Sequence, residues 1–245
     1  MSYLSTDKLS IGYAEDKILI KDISISLNEG EFIGLIGQNG VGKSTFIRTL
    51  CGLQKPIKGS VLLDKKPISN YNATEIAKRI SVVLTGKPET LNLSVIDLIT
   101  LGRFPYSNWL GKLNKEDKDQ VEKAISLMEI NYIASKKLFE LSDGQLQKVM
   151  IARALAQDTE IIILDEPTSH LDLRNKIEVL RLLQRISETG KAILISTHEI
   201  QLTAQVCNDF WCMDFNQPIL KGKPDELIKS GKLHEWLHLP SDLSL

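Results

Sequence analysis

The stretch Gly37–Thr45 reads GQNGVGKST and decides the fold. It matches the pattern G-x-x-x-x-G-K-[ST], and it lies between EFIGLIG, which predicts a strand, and TFIRTLCG, which predicts a helix. Glycines let backbone N–H groups curl around phosphate oxygens, and the helix N-terminus adds about half a positive charge. Lys43 would then reach the outer phosphates and Ser44 would hold Mg²⁺. The candidate nucleotide-binding residues are Gly37, Gln38, Asn39, Gly40, Val41, Gly42, Lys43, Ser44 and Thr45.

A second motif, IIILDEP at 161–167, ends an apolar run with two adjacent carboxylates. Ligands of open α/β sheets bind at the carboxyl ends of the strands. Successive strand residues face opposite ways, which predicts different roles for the two side chains. We expect Asp165 to join the magnesium shell through water, and Glu166 to orient and deprotonate an attacking water. A lone Asp-Glu pair is more often a solvated strand end, and the phosphate loop upstream is what favours catalysis.

A third candidate, His198, follows the apolar run KAILIST at 191–197. An isolated histidine at a strand end is usually structural or simply exposed. Here the neighbouring strands would carry the phosphate loop and Asp165. We therefore expect His198 to contact the γ-phosphate and to hold the attacking water in line.

The strand and helix patterns predict an α/β fold in a single domain, residues 1–245. Continuous apolar strands that alternate with helices indicate a parallel sheet covered on both faces. The run KILIKDISISLNEGE alternates in hydrophobicity, which predicts antiparallel strands near the N-terminus. Residues 86–157 read as helices, so we expect a helical subdomain inserted into a nucleotide-binding core of residues 1–85 and 158–245. A β-pair and a short helical tail are expected after residue 208.

The stretch LSDGQ at 141–145 precedes the amphipathic run LQKVMIARALAQ. Ser142 is suited to cap the helix that begins beside it. Capping accounts for the serine and leaves Gly144 without an explanation.

Bulk composition excludes several classes of protein. Lys+Arg 30 against Asp+Glu 31 gives a net charge of −1, which does not favour nucleic acid as the main partner. The N-terminus MSYLSTDKLS lacks the apolar core of a signal peptide, and no apolar run is long enough to span a bilayer. The three cysteines form no CxxC, which favours reduced thiols in the cytosol.

Taken in order, GQNGVGKST, LSDGQ, ILDEP, SHLD and STH resemble the motifs of ATP-binding-cassette (ABC) ATPases over nearly the whole chain. The resemblance implies a P-loop NTPase (RecA-like) core that binds ATP and Mg²⁺. It also implies a head-to-tail homodimer, in which the LSDGQ loop of one subunit faces the γ-phosphate held by the other. Tyr13 resembles the aromatic residue that stacks on adenine, although simple packing is an alternative. The residues expected to act in trans are Ser142, Gly144, Gln145 and Asp172.

Two positions depart from the family pattern. Thr85 occupies the strand end where the family usually has Gln, and its shorter side chain would reach Mg²⁺ only through water. Asp143 occupies the third signature position, usually Gly, and its carboxylate should repel a triphosphate unless it turns to solvent. Both departures bear on the rate of hydrolysis rather than on nucleotide binding.

The run GRFPY at 102–106 resembles the ATPases of bacterial importers for iron–siderophore, haem or cobalamin. This resemblance implies integral-membrane permease subunits as partners, and a substrate-binding protein as an indirect partner. It also implies a peripheral location on the cytoplasmic face of the bacterial inner membrane. Phe104, Tyr106 and Trp109 are either subdomain core or, where exposed, part of a groove for a helix of the permease.

Two alternatives and one misleading motif accompany this interpretation. The alternatives are a soluble ABC ATPase of iron–sulfur cluster assembly and a nucleotide-gated scaffold that barely hydrolyses ATP. The run HEWLH at 234–238 matches the zinc-protease pattern H-E-x-x-H. A catalytic zinc needs a third protein ligand, and only LPSDLSL follows, so we expect a terminal amphipathic helix without metal.

Overall fold

The computed structural model describes residues 2–86, 92–107, 112–215 and 217–237. Within them the strands, in chain order, are β1 (Ser2–Gly12), β2 (Ile18–Ile23), β3 (Ser26–Asn28), β4 (Phe32–Gly37), β5 (Lys58–Leu63), β6 (Lys66–Pro67), β7 (Ile80–Val83), β8 (Ile161–Asp165), β9 (Ala192–Ser196), β10 (Asp209–Met213) and β11 (Leu220–Gly222). The α-helices are α1 (Lys43–Leu50), α2 (Ala73–Ala77), α3 (Val95–Thr100), α4 (Lys115–Leu127), α5 (Asp143–Ala156), α6 (Leu173–Ser187), α7 (Ile200–Ala204), α8 (Pro224–Lys229) and α9 (Lys232–Trp236).

A six-stranded sheet of order β11-β10-β4-β9-β8-β7 forms the centre of the core. All of its neighbouring strands are parallel except β10 and β11. Every residue of β4, β8 and β9 is buried, which is why these strands read as continuous apolar runs. The three strands expected at 31–37, 160–165 and 191–197 are confirmed. Their carboxyl ends share one edge of the sheet, so the segments after β4, β7, β8 and β9 meet there.

A second, antiparallel sheet has the order β2-β1-β5-β6, with β3 also paired to β1. The antiparallel pairing expected near the N-terminus is confirmed, because β2 and β3 both run against β1. The polar residues of β1 and β5 explain why the sequence pattern did not predict these two strands. Thr6 shows how β1 tolerates them, since its buried hydroxyl donates to the carbonyl of Ile23 at 2.8 Å and accepts from the amide of Ile25 at 3.1 Å.

Helices occupy the described part of residues 92–157. The first helix, α3, ends at Thr100, and a 3₁₀ segment, Leu101–Tyr106, follows it. The apolar faces of α3, α4 and α5 pack on one another around Leu98, Val121 and Val149. An isolated bridge between Ser94 and Lys137 is the β-pairing described within this stretch. The subdomain boundaries at residues 86 and 157 stay a prediction.

The C-terminal segment packs beside the central sheet. The β-pair predicted after residue 208 is β10–β11, and the helices α8 and α9 follow it. Leu233 and Leu237 are buried in the same apolar cluster as the sheet. His234 lies on α9, whereas His238 falls outside the described residues. The absence of zinc from HEWLH therefore stays a prediction.

The cysteine side chains, Cys51, Cys207 and Cys212, are all buried and unpaired. Burial raises the pKa of Cys51 and of Cys212 to about 12, so these thiols stay protonated at neutral pH. In the described ranges no helix combines the length and the apolarity needed to cross a membrane.

Candidate functional site

The phosphate-loop candidate begins where β4 ends, and the structure shows why three of its positions are occupied by glycine. A Cβ atom at Gly37 would lie 2.6 Å from the carbonyl oxygen of Met213, so no larger residue fits. Gly40 and Gly42 have φ angles of 80° and 111°, a region that L side chains rarely adopt. Among the described residues, no atom lies within 4 Å of a Cβ built at Gly40, so the loop borders open space there.

Lys43 begins α1 and points back across the loop. Its Nζ atom donates to the carbonyl oxygens of Gly37 at 2.7 Å and Gln38 at 3.1 Å. Burial lowers the pKa of Lys43, and the nearby carboxylates of Glu166 and Asp165 act in the opposite direction. The ammonium group is therefore held at the loop, close to both carboxylates of the second motif.

The other predicted loop residues divide into exposed and buried sets. Val41 and Thr45 are buried and anchor the loop and the first turn of α1. The Gln38 side chain donates to the carbonyl oxygen of Leu237 at 3.2 Å, which connects the loop to the end of the C-terminal helix. The exposed residues, which are accessible to a ligand, are Gln38, Asn39, Gly40 and Ser44.

Asp165 ends β8 with a side chain that is nearly enclosed, since the residue is 2% exposed. Its Oδ1 atom accepts a hydrogen bond from Ser196 at the end of β9. Its Oδ2 atom accepts one from Thr85 Oγ1 at 3.3 Å. Thr85 thus contacts the carboxylate directly.

Glu166 is held in an unusual backbone conformation directly after β8. Its φ angle is 51°, a left-handed value that costs a non-glycine residue roughly 1–2 kcal/mol. Its amide donates to the hydroxyl of Ser196 at 2.9 Å and to the carbonyl of the same residue at 3.2 Å. The carboxylate meets His198 Nε2 at 2.8 Å and accepts from Ser169 Oγ at 3.2 Å. Glu166 and His198, two of the three predicted catalytic residues with Lys43, are therefore in direct contact.

Ser142 and its neighbours line a surface depression of ≈ 380 Å³. Ser142 caps α5, as the sequence predicts, and forms a reciprocal capping box with Gln145. Asp172 caps α6, and hydrogen bonds from the amide and the side chain of Asn175 lower the pKa of its carboxyl. We call this depression the LSDGQ face; the predicted residues that line it are Ser142, Gly144, Gln145 and Asp172.

The structure supplies a local reason for Gly144. A Cβ atom there would lie 3.2 Å from the carbonyl oxygen of His170, so glycine lets the first turn of α5 lie close against the SHLD loop. Ser142 and Asp143 are both exposed on this face. Asp143 therefore lies on the face that would meet a triphosphate, and the expected repulsion by its carboxylate stays a prediction.

Tyr13 lies in the tight turn between β1 and β2, and its side chain is 72% exposed. Packing against neighbouring side chains, the alternative explanation for an aromatic residue here, therefore does not account for Tyr13. Strand β2, which begins where this turn ends, packs on the phosphate loop, because a Cβ atom built at Gly42 would lie 3.0 Å from the Leu19 side chain. An exposed aromatic ring beside a phosphate loop is suited to stack on a nucleobase.

An apolar groove of ≈ 350 Å³ lies on another face. It runs between the segment after α1, helix α2, strand β7, the 3₁₀ segment and the C-terminal end of α5. Phe104 is 71% exposed at its edge, whereas Tyr106 is half-buried, and Trp109 falls outside the described residues. The principal lining residues are Leu53, Ile76, Val82, Leu101, Phe104, Pro105 and Arg153.

Two serines at the site were not among the predicted residues. Ser196 bridges Asp165 and the amide of Glu166, and Ser169 bonds the Glu166 carboxylate. The position of Ser196 two residues before His198, at the end of a buried strand, was the available signal. Serine is too common at strand ends for that signal to stand out.

The ABC transporter family model matches residues 20–169 of this chain, a span that holds the phosphate loop, LSDGQ and the Asp165–Glu166 pair. The chain belongs to the ABC transporter family. It binds nucleotide and is an ATPase, as the ATP-binding proteins of the family are.

Among relatives, the iron(3+)-hydroxamate import ATP-binding protein FhuC of Bacillus subtilis is 38% identical over 244 residues, 99% of this chain and 90% of that protein. A solved inward-facing ABC transporter assigned to the metal-chelate type is 28% identical, with a TM-score of 0.83 over 98% of this chain and 90% of that one. The dimeric cassette MJ0796 is 25% identical, with a TM-score of 0.80 over 90% of this chain and 98% of that one.

Proposed function

We propose that this chain is the ATPase subunit of a bacterial importer for an iron chelate such as an iron–siderophore. One observation carries the ATPase half of the proposal: the phosphate loop, the buried Asp165 and the Glu166–His198 pair meet at one edge of the sheet. The similarity to FhuC over almost the whole chain, and to a transporter assigned to the metal-chelate type, supports the cargo class.

The first half of the reaction site lies within one chain. The backbone amides of the loop and Lys43 would hold the β- and γ-phosphates of ATP, and Tyr13 would stack on the adenine. Glu166 would accept a proton from the attacking water, because its carboxylate is already oriented by Ser169 and His198. His198, on the other side of that carboxylate, would contact the γ-phosphate and keep the water in line.

The residues present fit a magnesium ion. Ser44 is exposed in the first turn of α1, and Asp165 keeps acceptor capacity beyond the two hydroxyls that it bonds. Oxygen ligands of this kind are what Mg²⁺ prefers, so Ser44 and Asp165 would hold it, with Thr85 supporting Asp165. Bound magnesium would neutralise the negative charge that develops on the phosphate oxygens during hydrolysis.

The second half of the site would come from another copy of the chain. Ser142 and Gly144 lie on the exposed LSDGQ face, where the N-terminus of α5 offers a partial positive charge. In a head-to-tail homodimer this face would meet the γ-phosphate held by the partner, and Asp172 would lie at the interface. The dimeric arrangement of the related cassette MJ0796 supports this proposal.

The apolar groove is the proposed contact with the permease. Phe104, Leu101 and Leu53 are exposed around it, and a helix from a membrane partner would bury them. Docking there would hold the chain peripherally on the cytoplasmic face of the membrane. A substrate-binding protein would act on the outer side through the permease, and it would not touch this chain.

Co-purification with the permease tests the proposal. Phe104→Asp should abolish retention of the permease and chelate-dependent iron uptake, because it places a charge in the groove. Leu127→Asp, which changes an exposed apolar residue of α4 outside the groove, is the matched control and should retain both. Retention of a soluble iron–sulfur scaffold instead of a permease would favour the cluster-assembly alternative. A permease complex that releases no phosphate would favour the nucleotide-gated scaffold.

A further inference from the structure

Arg103, the second residue of GRFPY, is a buried arginine whose guanidinium group makes three hydrogen bonds. Its Nε atom donates to Asp117 Oδ1 at 2.9 Å, and the two side chains are only 5% and 1% exposed. Its Nη1 atom donates to the carbonyl oxygens of Ala156 at 3.0 Å and Gln157 at 3.2 Å. Tyr106 covers the guanidinium group, with 4.0 Å between the Arg103 Cζ atom and the ring centroid.

These contacts place Arg103 at the C-terminal end of α5. The last carbonyls of a helix lack intrahelical partners and carry partial negative charge, so a buried cation is well suited to cap them. The other end of the same helix is capped by Ser142, about 20 Å away along the axis. Arg103 and Ser142 therefore hold opposite ends of one rigid element.

The neighbours of Arg103 in the chain line the apolar groove. A Cβ atom at Gly102 would lie 2.4 Å from the carbonyl oxygen of Arg153, so the glycine lets the 3₁₀ segment press directly on α5. Phe104, on the other side, is exposed at the groove. An object pressing on Phe104 thus pushes a segment that is bonded through Arg103 to the end of α5.

A purely stabilising role does not explain the choice of arginine. Burying an ion pair carries a large desolvation cost, and apolar side chains of similar volume often give equal stability. An apolar side chain cannot bond the carboxylate of Asp117 on α4 and two carbonyls of α5 at once. The guanidinium group makes the groove segment, α4 and the end of α5 a single unit.

We propose that Arg103 is a positioning residue that makes the helix carrying Ser142 follow the occupant of the apolar groove. This inference rests on the proposed function, because the occupant is a helix of the permease. Binding of the permease would shift the 3₁₀ segment, and α5 would carry Ser142 toward or away from the γ-phosphate of the partner subunit. Arg103 would touch neither nucleotide nor permease.

The test compares the wild-type chain with Arg103→Lys, which keeps the charge but cannot bond Asp117 and both carbonyls together. The measured quantities are permease retention, nucleotide affinity of the isolated cassette, and the ratio of permease-stimulated to basal ATP hydrolysis. We expect retention and nucleotide affinity to stay unchanged and the ratio to fall by about fivefold or more, the lower end of typical coupling energies. Arg79→Lys, which alters an arginine paired with Asp64 and Glu160, is the control and should keep the ratio.

A double variant, Arg103→Met with Asp117→Leu, keeps the test informative if Arg103→Lys does not fold. It removes both buried charges and also the capping bond from the Asn114 amide to Asp117 Oδ2 at the start of α4, so it should fold with a lower midpoint in urea while losing the stimulated ratio. A wild-type ratio in either folded variant would overturn the role of Arg103. Loss of permease retention in the variants would also overturn it, because Arg103 would then shape the groove. Failure of the wild-type cassette to retain or respond to a permease would instead refute the proposed function, and this role with it.

Discussion

Ser196 gives the most specific test of the site, because its one buried hydroxyl bonds both Asp165 and Glu166. It donates to Asp165 and accepts from the amide of Glu166, and the residue is fully buried. Ser196→Ala removes a hydrogen bond to a charged group, which contributes about 1.5–3 kcal/mol. We expect the free energy of unfolding to fall by that amount. Asp165 would keep only the longer bond from Thr85, at 3.3 Å, among its hydroxyl donors in the described structure.

The functional consequence should appear in the magnesium dependence of ATP hydrolysis. Outer partners that orient a metal ligand typically contribute 10–100-fold to metal affinity or activity. We therefore expect the magnesium concentration for half-maximal hydrolysis to rise by about 10-fold or more in Ser196→Ala. The assay is phosphate release against magnesium at saturating ATP, with nucleotide binding measured separately in the presence of EDTA.

Ser187→Ala is the matched control. Ser187 is also buried, and its hydroxyl donates to the carbonyl oxygen of Gln184 at 2.7 Å near the end of α6. It should lose stability without a shift in magnesium dependence. Equal magnesium curves for Ser196→Ala and the wild type would refute the reasoning, because Asp165 would then need no orientation from Ser196.

Four further outcomes follow from single contacts. Glu166→Gln should accumulate an ATP-bound dimer in size-exclusion chromatography while phosphate release falls by about 10²–10⁴-fold; a variant that stays monomeric with ATP would contradict the composite site. Asp143→Gly should form the dimer at lower ATP in sedimentation experiments, because it removes a carboxylate from the LSDGQ face. Gln38→Ala should lower the free energy of unfolding in urea by about 0.5–1.5 kcal/mol, through the lost bond to Leu237. Tyr13→Ala should weaken ATP binding in calorimetry and Tyr13→Phe should not, if the exposed ring stacks on adenine.

The parts of the fold that the sequence predicted are those with local causes. Strands β4, β8 and β9 are buried on both faces, so each reads as a continuous apolar run. The phosphate loop needs glycine at Gly40 and Gly42 because of their positive φ angles, and that need leaves a spacing in the sequence. Ser142 caps α5 through residues three positions apart, which is also a local pattern.

The parts that the sequence did not predict depend on contacts between distant residues. Strands β1 and β5 place polar residues opposite one another, such as Asp7 opposite Ser60, and their hydrophobic pattern is weak. The bond between Gln38 and Leu237 joins residues 199 positions apart, and no spacing rule encodes it. The same holds for Arg103, whose partners Asp117 and Ala156 follow it by 14 and 53 positions.

The position of the apolar groove explains how the proposed docking of a permease helix could reach three parts of the reaction site. The groove is lined by the segment after α1, by β7 and by the C-terminal end of α5. Lys43 begins α1 and Ser142 precedes α5, so both lie at the ends of their helices far from the groove, and Thr85 follows β7 directly. Helices and paired strands transmit displacement better than loops do, because their backbone hydrogen bonds are made internally or to a neighbouring strand. A helix in the groove would therefore act on the phosphate loop, on Thr85 beside Asp165, and on Ser142, which would face the partner subunit. Because Arg103 bonds the groove segment to α5, Ser142 would have to move with that segment.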